Sequence, residues 1–522
     1  MDPDGESLMP RDDLLSKEEL RAKFGAGNYV VFFLMLLVSA VIGVYYWWKG
    51  NKTTEDFLLA GRSMSTIPMT LSLAASFMSA ITLLGVPAEV YTAGTQFSMM
   101  LFAFPFVMAA VIYLYLPVYD DLKLTTSYEY LELRFSKPVR MIASFLFCLQ
   151  MVLYMAIVVY APALALIQVT GFLNGVKNDV EIACFIIFLV CIFYSSIGGM
   201  KAVIWTDTFQ ALCMFGSFLG IIIYGSEVAG GPAKVFDINY QAGRVELFNF
   251  DPDMRQRHTV WSVIIGSFFL WLSVYATNQA QVQRYASVKK RSQVVTSLWL
   301  NCIFISLLVG ICCYGGMVVF AYYHDCDPIK AKQVKSKDQM FPLFVMQVVG
   351  DVPAVPGLFV AGVFSGALST VSSGLNSLAA VAWTDFLTIA SMLGKQINIS
   401  DQRKTLITKG ISLVLGLISF AVVFIVKYVP GVLHAAIAIF GKQSSDIFIS
   451  SKTRLICRNG WRSHTRRLLS RYVRPICQLC GRPPWSPLLS HLRLLVGLRL
   501  HCCQLQPDLR QSEVQPGDAE HD

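Results

Sequence analysis

The sequence predicts an all-α polytopic membrane protein, on three observations. Of its 522 residues, 55% are hydrophobic and 15% charged, with a mean hydropathy of +0.54, too apolar for an ordinary soluble domain. The apolar residues fall into separate runs, many of them about 18 residues or longer, the length a helix needs to cross a bilayer. The runs lack the short alternating segments of a transmembrane strand, and only helices and closed barrels satisfy their backbone polar groups in lipid.

Residues 1–28 are charged and polar and carry no cleavable-signal pattern. The first apolar run, Val30–Trp48, is long enough to span and reads as a retained anchor. The second, Thr66–Tyr91, crowds small residues (Ala74, Ala75, Ser76, Ser79, Ala80) in its middle and has Gly85 and Pro87 toward its far end. Proline removes a helical hydrogen bond, and a span with an unwound middle offers free carbonyls to an ion or solute. Further spans are expected at Phe97–Pro117, Met141–Gly171, Val180–Ile197, Ala202–Gly225, Thr259–Ala280, Ser297–Tyr323, Pro356–Asp385 and Leu406–Val429. That gives ten, followed by a fragment, Gly431–Phe440, too short to cross. Short basic loops at Thr125–Arg140 and Tyr285–Gln293 place those ends in the cytoplasm and the amino terminus outside. The longer loops, Ser226–His258 and His324–Met340, then fall outside. Glu129, Glu132 and Arg134 read as a structural cytoplasmic network.

The formal charge of +9 is mostly local. Residues 441–522 hold thirteen Lys and Arg against six Asp and Glu, which leaves the preceding 440 residues near +2 and gives no nucleic-acid signal. Composition breaks at Phe440, and 441–522 reads as a basic, unrelated, disordered tail. Cys148, Cys184, Cys191, Cys213, Cys302, Cys312 and Cys313 lie in apolar runs as small hydrophobes. Cys477 and Cys480 have half the spacing of a zinc site and no second half. The sequons at Asn51 and Asn398 fall in loops placed inside the cell and are discounted.

One stretch organises the rest: Phe364–Asp385, FSGALSTVSSGLNSLAAVAWTD. Steps of four, three and four residues put Ser365, Ser369, Ser372 or Ser373, and Asn376 on one helical stripe. Hydroxyls have no partner in lipid, so the stripe faces protein, water or an ion. Close packing at a helix seam explains it. So does a cation site of hydroxyl oxygens, if a second stretch supplies more.

Several motifs carry a family resemblance: TTSYEYLELRF at 125–135, GGMKAVIWTDTFQ at 198–210, NQAQVQRY at 278–285 and LSTVSSGLNSLAAVAWTD at 368–385. They resemble the sodium:solute symporter family. GVPAEVYTAGTQ at 85–96 and YAPALAL at 160–166, with Asp251 and His258, resemble its animal multivitamin, monocarboxylate and iodide branch. The resemblance covers residues 29–440. It implies a LeuT-like fold of two inverted five-helix repeats behind one extra amino-terminal helix. The first helix of each repeat is broken, the second repeat begins near Thr259, and that repeat is incomplete here. It implies sodium ligands at the carbonyls of Ala75, Met78 and Gly366 and the hydroxyls of Ser369 and Thr370. For Asp207 it implies a second-site or gating role, against the plainer reading of a helix-start carboxylate beside Lys201. Phe77, Gln96 and Tyr154 become substrate-cavity candidates. The implied function is no enzyme's: sodium-coupled symport of a small anionic organic solute, such as a monocarboxylate or a vitamin of the biotin or pantothenate kind. Sodium is the coupling ion, no organic cofactor is used, and the protein is multi-pass in the plasma membrane. A transport-inactive chain modulating a full-length paralogue, and a channel-like pore or receptor using the same stripe, are the rival classes.

Overall fold

The computed structural model describes residue 19 and residues 22–428, apart from 51–52, 123, 125, 171–177, 254, 332, 335–336, 393–399 and 427. The Gly431–Phe440 fragment, the tail from 441 with Cys477 and Cys480, and the sequons at Asn51 and Asn398 lie outside these residues.

The helices are those of a multi-pass membrane protein. In chain order, α1 is Ala26–Lys49 and α2 the short Thr54–Leu59, with α3 at Thr66–Phe77 and α4 at Ala80–Ala93. Then come α5 Thr95–Leu122, α6 Ser127–Arg134, α7 Lys137–Thr170, α8 Asp179–Val228 and α9 Pro232–Gln241. The last six are α10 Trp261–Thr277, α11 Gln279–Ala286, α12 Arg291–Tyr322, α13 Met340–Val349, α14 Val355–Met392 and α15 Asp401–Val426.

Two neighbouring pairs are bent spans: α3 and α4 meet at 59°, α10 and α11 at 50°. The second bend, at Asn278, falls in the segment expected to open the second repeat. α8, at 50 residues, is more than twice the roughly 20 residues that one crossing needs. It changes direction at Gly199, whose φ of +64° belongs to the left-handed region. A Cβ there would strike the ring and carbonyl of Phe57 on α2. The two expected spans, Val180–Ile197 and Ala202–Gly225, are therefore the two arms of α8.

The polar stripe lies at the centre. In α14, 94% of the most apolar window is buried inside the protein, against 28% in α1 and in α15. A stripe so placed faces protein, and α1 and α15 give one side to lipid. The first bend corrects one expectation: Gly85 and Pro87 lie inside continuous helix α4. The break is at Met78 and Ser79, with ψ of 70° and 166°.

The loops gather into two sets at opposite ends of the bundle. α12, 32 residues or roughly 48 Å long, carries one set at each end. At its Arg291 end, Arg291 stands 3.5 Å from Asp120, Tyr119 donates to the Ala276 carbonyl (2.7 Å), and the Ser127 amide donates to Gln279 (2.9 Å). At the other end the two longer loops meet on Glu89: Arg257 is 2.6 Å from it and Lys337 2.9 Å. The network expected around Glu129, Glu132 and Arg134 differs in its cation. Arg140, not Arg134, pairs with Glu132 (2.6 Å), and it also reaches Asp385 (3.2 Å).

Candidate functional site

The site begins with an unfinished helix. α3 stops at Phe77, and the Met78 amide makes the last helical bond, to Ala74 O at 3.0 Å. The chain then turns extended, so the carbonyls of Ala75 and Ser76 lose their usual donors four residues on. α14 supplies replacements. Ser369 Oγ donates to Ala75 O at 2.8 Å, and Thr370 Oγ1 to Ser76 O at 3.1 Å. Both hydroxyls also lie within reach of Gly366 O, at 3.2 and 2.9 Å.

Gly366 lets the two helices approach this closely. A Cβ on it would stand 2.9 Å from Met78 O and 3.0 Å from Ala80 N. The five residues implied by the resemblance, Ala75, Met78, Gly366, Ser369 and Thr370, thus come together where α14 crosses the break, and Ser76 joins them. All are buried. Each hydroxyl has one proton and two carbonyls in range, so its oxygen keeps lone pairs for a third party. The donor set is neutral oxygen throughout. That suits a hard monovalent cation; a divalent ion would call for carboxylates. No cluster of His, Cys, Asp or Glu able to hold a metal occurs among the described residues.

The rest of the stripe divides. Ser372 Oγ bonds back to Ser369 O of its own helix (3.1 Å), and Asn376 Nδ2 contacts Met200 Sδ (3.4 Å). Ser372 also neighbours Asp207 and Tyr194, and Asn376 Oδ1 has no hydrogen-bond partner. Ser373 instead leads to a second polar centre. Its hydroxyl donates to Ser369 O (2.6 Å) and accepts from the Arg284 guanidinium. Arg284 Nη2 is 2.8 Å from Asp207 Oδ2, and both side chains are fully buried. Ser72 Oγ on α3 ties the pair together: it donates to Asp207 (2.7 Å) and accepts from Arg284 Nε (2.8 Å). Arg284 Nη1 donates to Ala280 O (2.8 Å).

This corrects the plainer reading of Asp207. Lys201 is not its partner but stands 3.8 Å from Asp56. Asp207 lies deep inside α8, not at a helix start, because an arginine 77 positions away meets it there.

The substrate-cavity candidates separate. Tyr154 on α7 is buried with its hydroxyl interacting with Ser79 at the break. Phe77 closes α3, and its side chain lies outside the described residues. Gln96 is at the far end of α4, roughly 20 Å along that helix from Ser79. There its Oε1 accepts from the Asn249 amide (3.3 Å) and Nε2 has no hydrogen-bond partner. Motif reading passed over Ser72, Arg284 and Glu89. Only an unpaired-looking arginine inside NQAQVQRY, next to an apolar span, hinted at any of them.

Known proteins bear on this geometry. Among curated relatives, sodium-coupled monocarboxylate transporter 1 of Xenopus laevis is 44% identical over 80% of this chain and 66% of its own length. A putative sodium-dependent multivitamin transporter of Drosophila melanogaster is 42% identical over 80% and 69%. This chain spans about two thirds of the length of the curated relatives it matches. Among solved structures, a Na+-coupled sialic acid symporter in a substrate-bound outward-open state is similar with a TM-score of 0.70 and 26% identity, over 80% of this chain and 86% of that one. These relatives are transporters, the class the sequence pointed to. The profile of the sodium:solute symporter family matches residues 57–449, and the chain, with its broken α3–α4 span crossed by a hydroxyl-bearing α14, belongs to that family.

Proposed function

We propose that the protein is a sodium-coupled secondary active transporter of a small carboxylate-bearing organic solute in the plasma membrane, with 29–440 as its membrane domain. The observation that carries this is the meeting of Ala75, Met78, Gly366, Ser369 and Thr370 at the break between α3 and α4. The names of the relatives, which couple sodium to monocarboxylates or to vitamins, support the solute class.

Sodium is cargo here. Bound among the five oxygens, it would replace the bonds from Ser369 and Thr370 to the α3 carbonyls. The ion would then pin α14 to the broken span and fix the break beside which Tyr154 stands. Asp207 fits a gating role better than a second cation position. The buried Arg284 guanidinium already sits on Ser373 Oγ and Asp207 Oδ2, so a second cation would face that positive charge with only Asp207 Oδ1 left without a hydrogen-bond partner. Opening a path there requires Arg284 to move.

The gradient sets the reach. A charge crossing about 70 mV gains roughly 1.6 kcal/mol, and a tenfold concentration ratio adds about 1.4 kcal/mol. One sodium therefore supports roughly hundredfold accumulation of a neutral solute. An anion, which carries the opposite charge inward, needs more than one.

The test is radiolabelled pyruvate or biotin uptake in sodium and in choline, with surface expression measured in parallel. Ser369→Ala with Thr370→Ala should abolish the sodium-dependent component. Unchanged uptake in the double variant would defeat the site. No uptake by the parent chain at normal surface levels would favour the modulator reading.

A further inference from the structure

The loop that delivers Arg257 and His258 to Glu89 has a second face. Before it turns to Glu89, the chain runs without regular structure through Leu247, Phe248, Asn249 and Phe250. Leu247, Phe248 and Phe250 are exposed, the two phenylalanines at 60% and 58%. Their rings stack at 6.4 Å with an interplanar angle of 12°. Phe250 meets Trp261 edge-on at 6.0 Å, and Trp261 Nε1 donates to the Phe250 carbonyl at 3.2 Å. The backbone is held in place from behind. The Asn249 amide donates to Gln96, and Asn249 O accepts from the Val260 amide (2.8 Å). The rings therefore face outward on a fixed frame.

What covers them follows from what they continue. Trp261 opens the span α10, and Ile265 and Phe269, four and eight residues on, are exposed apolar side chains on the same helical face. In a membrane-spanning helix that face meets lipid. Phe250 and Phe248 extend it past the start of the helix with no polar side chain between Trp261 and the Phe250 ring. The polar groups of the loop are gathered just beyond, in a self-bonded turn. The amides of Asp253 and Arg255 bond Asp251 Oδ1 and Asp253 Oδ1 (2.8 and 2.9 Å), and Arg255 is 92% exposed. Aromatic rings with one polar tip concentrate at the boundary between headgroups and hydrocarbon.

We propose that Phe248, Phe250 and Trp261, with Leu247, seat this loop in the lipid of the leaflet at that end of the bundle. The neighbouring turn at Asp253 and Arg255 stays in water. Arg257 lies seven positions after Phe250, and its guanidinium makes two bonds to Glu89 on α4, at 2.7 and 2.8 Å. Lipid contact thereby positions the loop that holds the α4 half of the broken span.

The experiment uses the full chain in phosphatidylcholine proteoliposomes. An environment-sensitive fluorescent amino acid replaces Phe248 in one sample and Arg255 in another, with Phe250 as a second site should the first variant fold poorly. Quenching is compared between nitroxide-labelled phosphatidylcholine and aqueous iodide. The label at 248 should be quenched severalfold more strongly by the lipid nitroxide than the label at 255, and iodide should show the reverse order. Equal quenching by iodide at both positions overturns the proposal. Protection of 248 from both quenchers also overturns it, because a protein partner, such as a second copy, would then cover the rings.

Discussion

The two halves of the broken span are held by opposite kinds of electrostatics. α3 is tied at Ser72 to the Asp207–Arg284 pair, which is entirely buried and touches other buried groups only. α4 is tied at Glu89, a carboxylate 5% exposed that receives Arg257, Lys337 and His258, of which Arg257 is 53% exposed. The charges are alike, but the fate of a widowed partner differs. Deep in the bundle, a lone charge has no water to turn to. At the loop end, arginine and lysine can swing into solvent at little cost. The half with the dry anchor should move as part of the core; the half with the wet anchor is the one free to swing.

That contrast can be broken most severely at Arg284. Arg284→Met strands Asp207 and should cost about 3–5 kcal/mol, seen as a large drop in folded yield and thermal unfolding temperature in detergent. Adding Asp207→Leu should restore most of the loss, since replacing both members of a buried pair by apolar groups is often neutral. A single variant as stable as the parent would mean that water reaches Asp207, and the comparison would fail. Glu89→Gln is expected to cost less, about 1–3 kcal/mol, by the same measurement. It should also raise protease cutting of the Ser226–His258 loop. Arg257→Gln should fall within about 1 kcal/mol of the parent, and the Arg257→Gln, Glu89→Gln double variant should be no worse than Glu89→Gln alone. A loss at Arg257 as large as that at Arg284 would erase the distinction between the two anchors.

Much of this was legible in the residues. Length and hydropathy placed the spans because lipid imposes the same demand on every crossing helix. Periodicity found the hydroxyl stripe because 3.6 residues per turn is a local property. The bend between α3 and α4 was visible as a crowd of small residues, although Pro87 drew attention to the wrong end. Proline costs one bond and is tolerated inside α4, whereas the real break at Met78 and Ser79 has no proline. The stripe offered packing and ion binding as alternatives, and the fold divides it: Ser372 bonds back to its own helix, while Ser369 and Thr370 reach across to the carbonyls of Ala75 and Ser76. Asp207 was noticed, but its partner was sought at Lys201, six residues away, because charge pairs read along a chain favour neighbours.

The sequence by itself determined that this is a helical membrane protein with one hydroxyl-striped helix, because composition and period are carried by each segment alone. The folded structure alone decided that Ser369 and Thr370 would meet the carbonyls of Ala75 and Ser76, that Arg284 would find Asp207, and that Glu89 would gather two distant loops. Each of those contacts joins groups scores to hundreds of residues apart, and only the packing of helix on helix sets which faces meet.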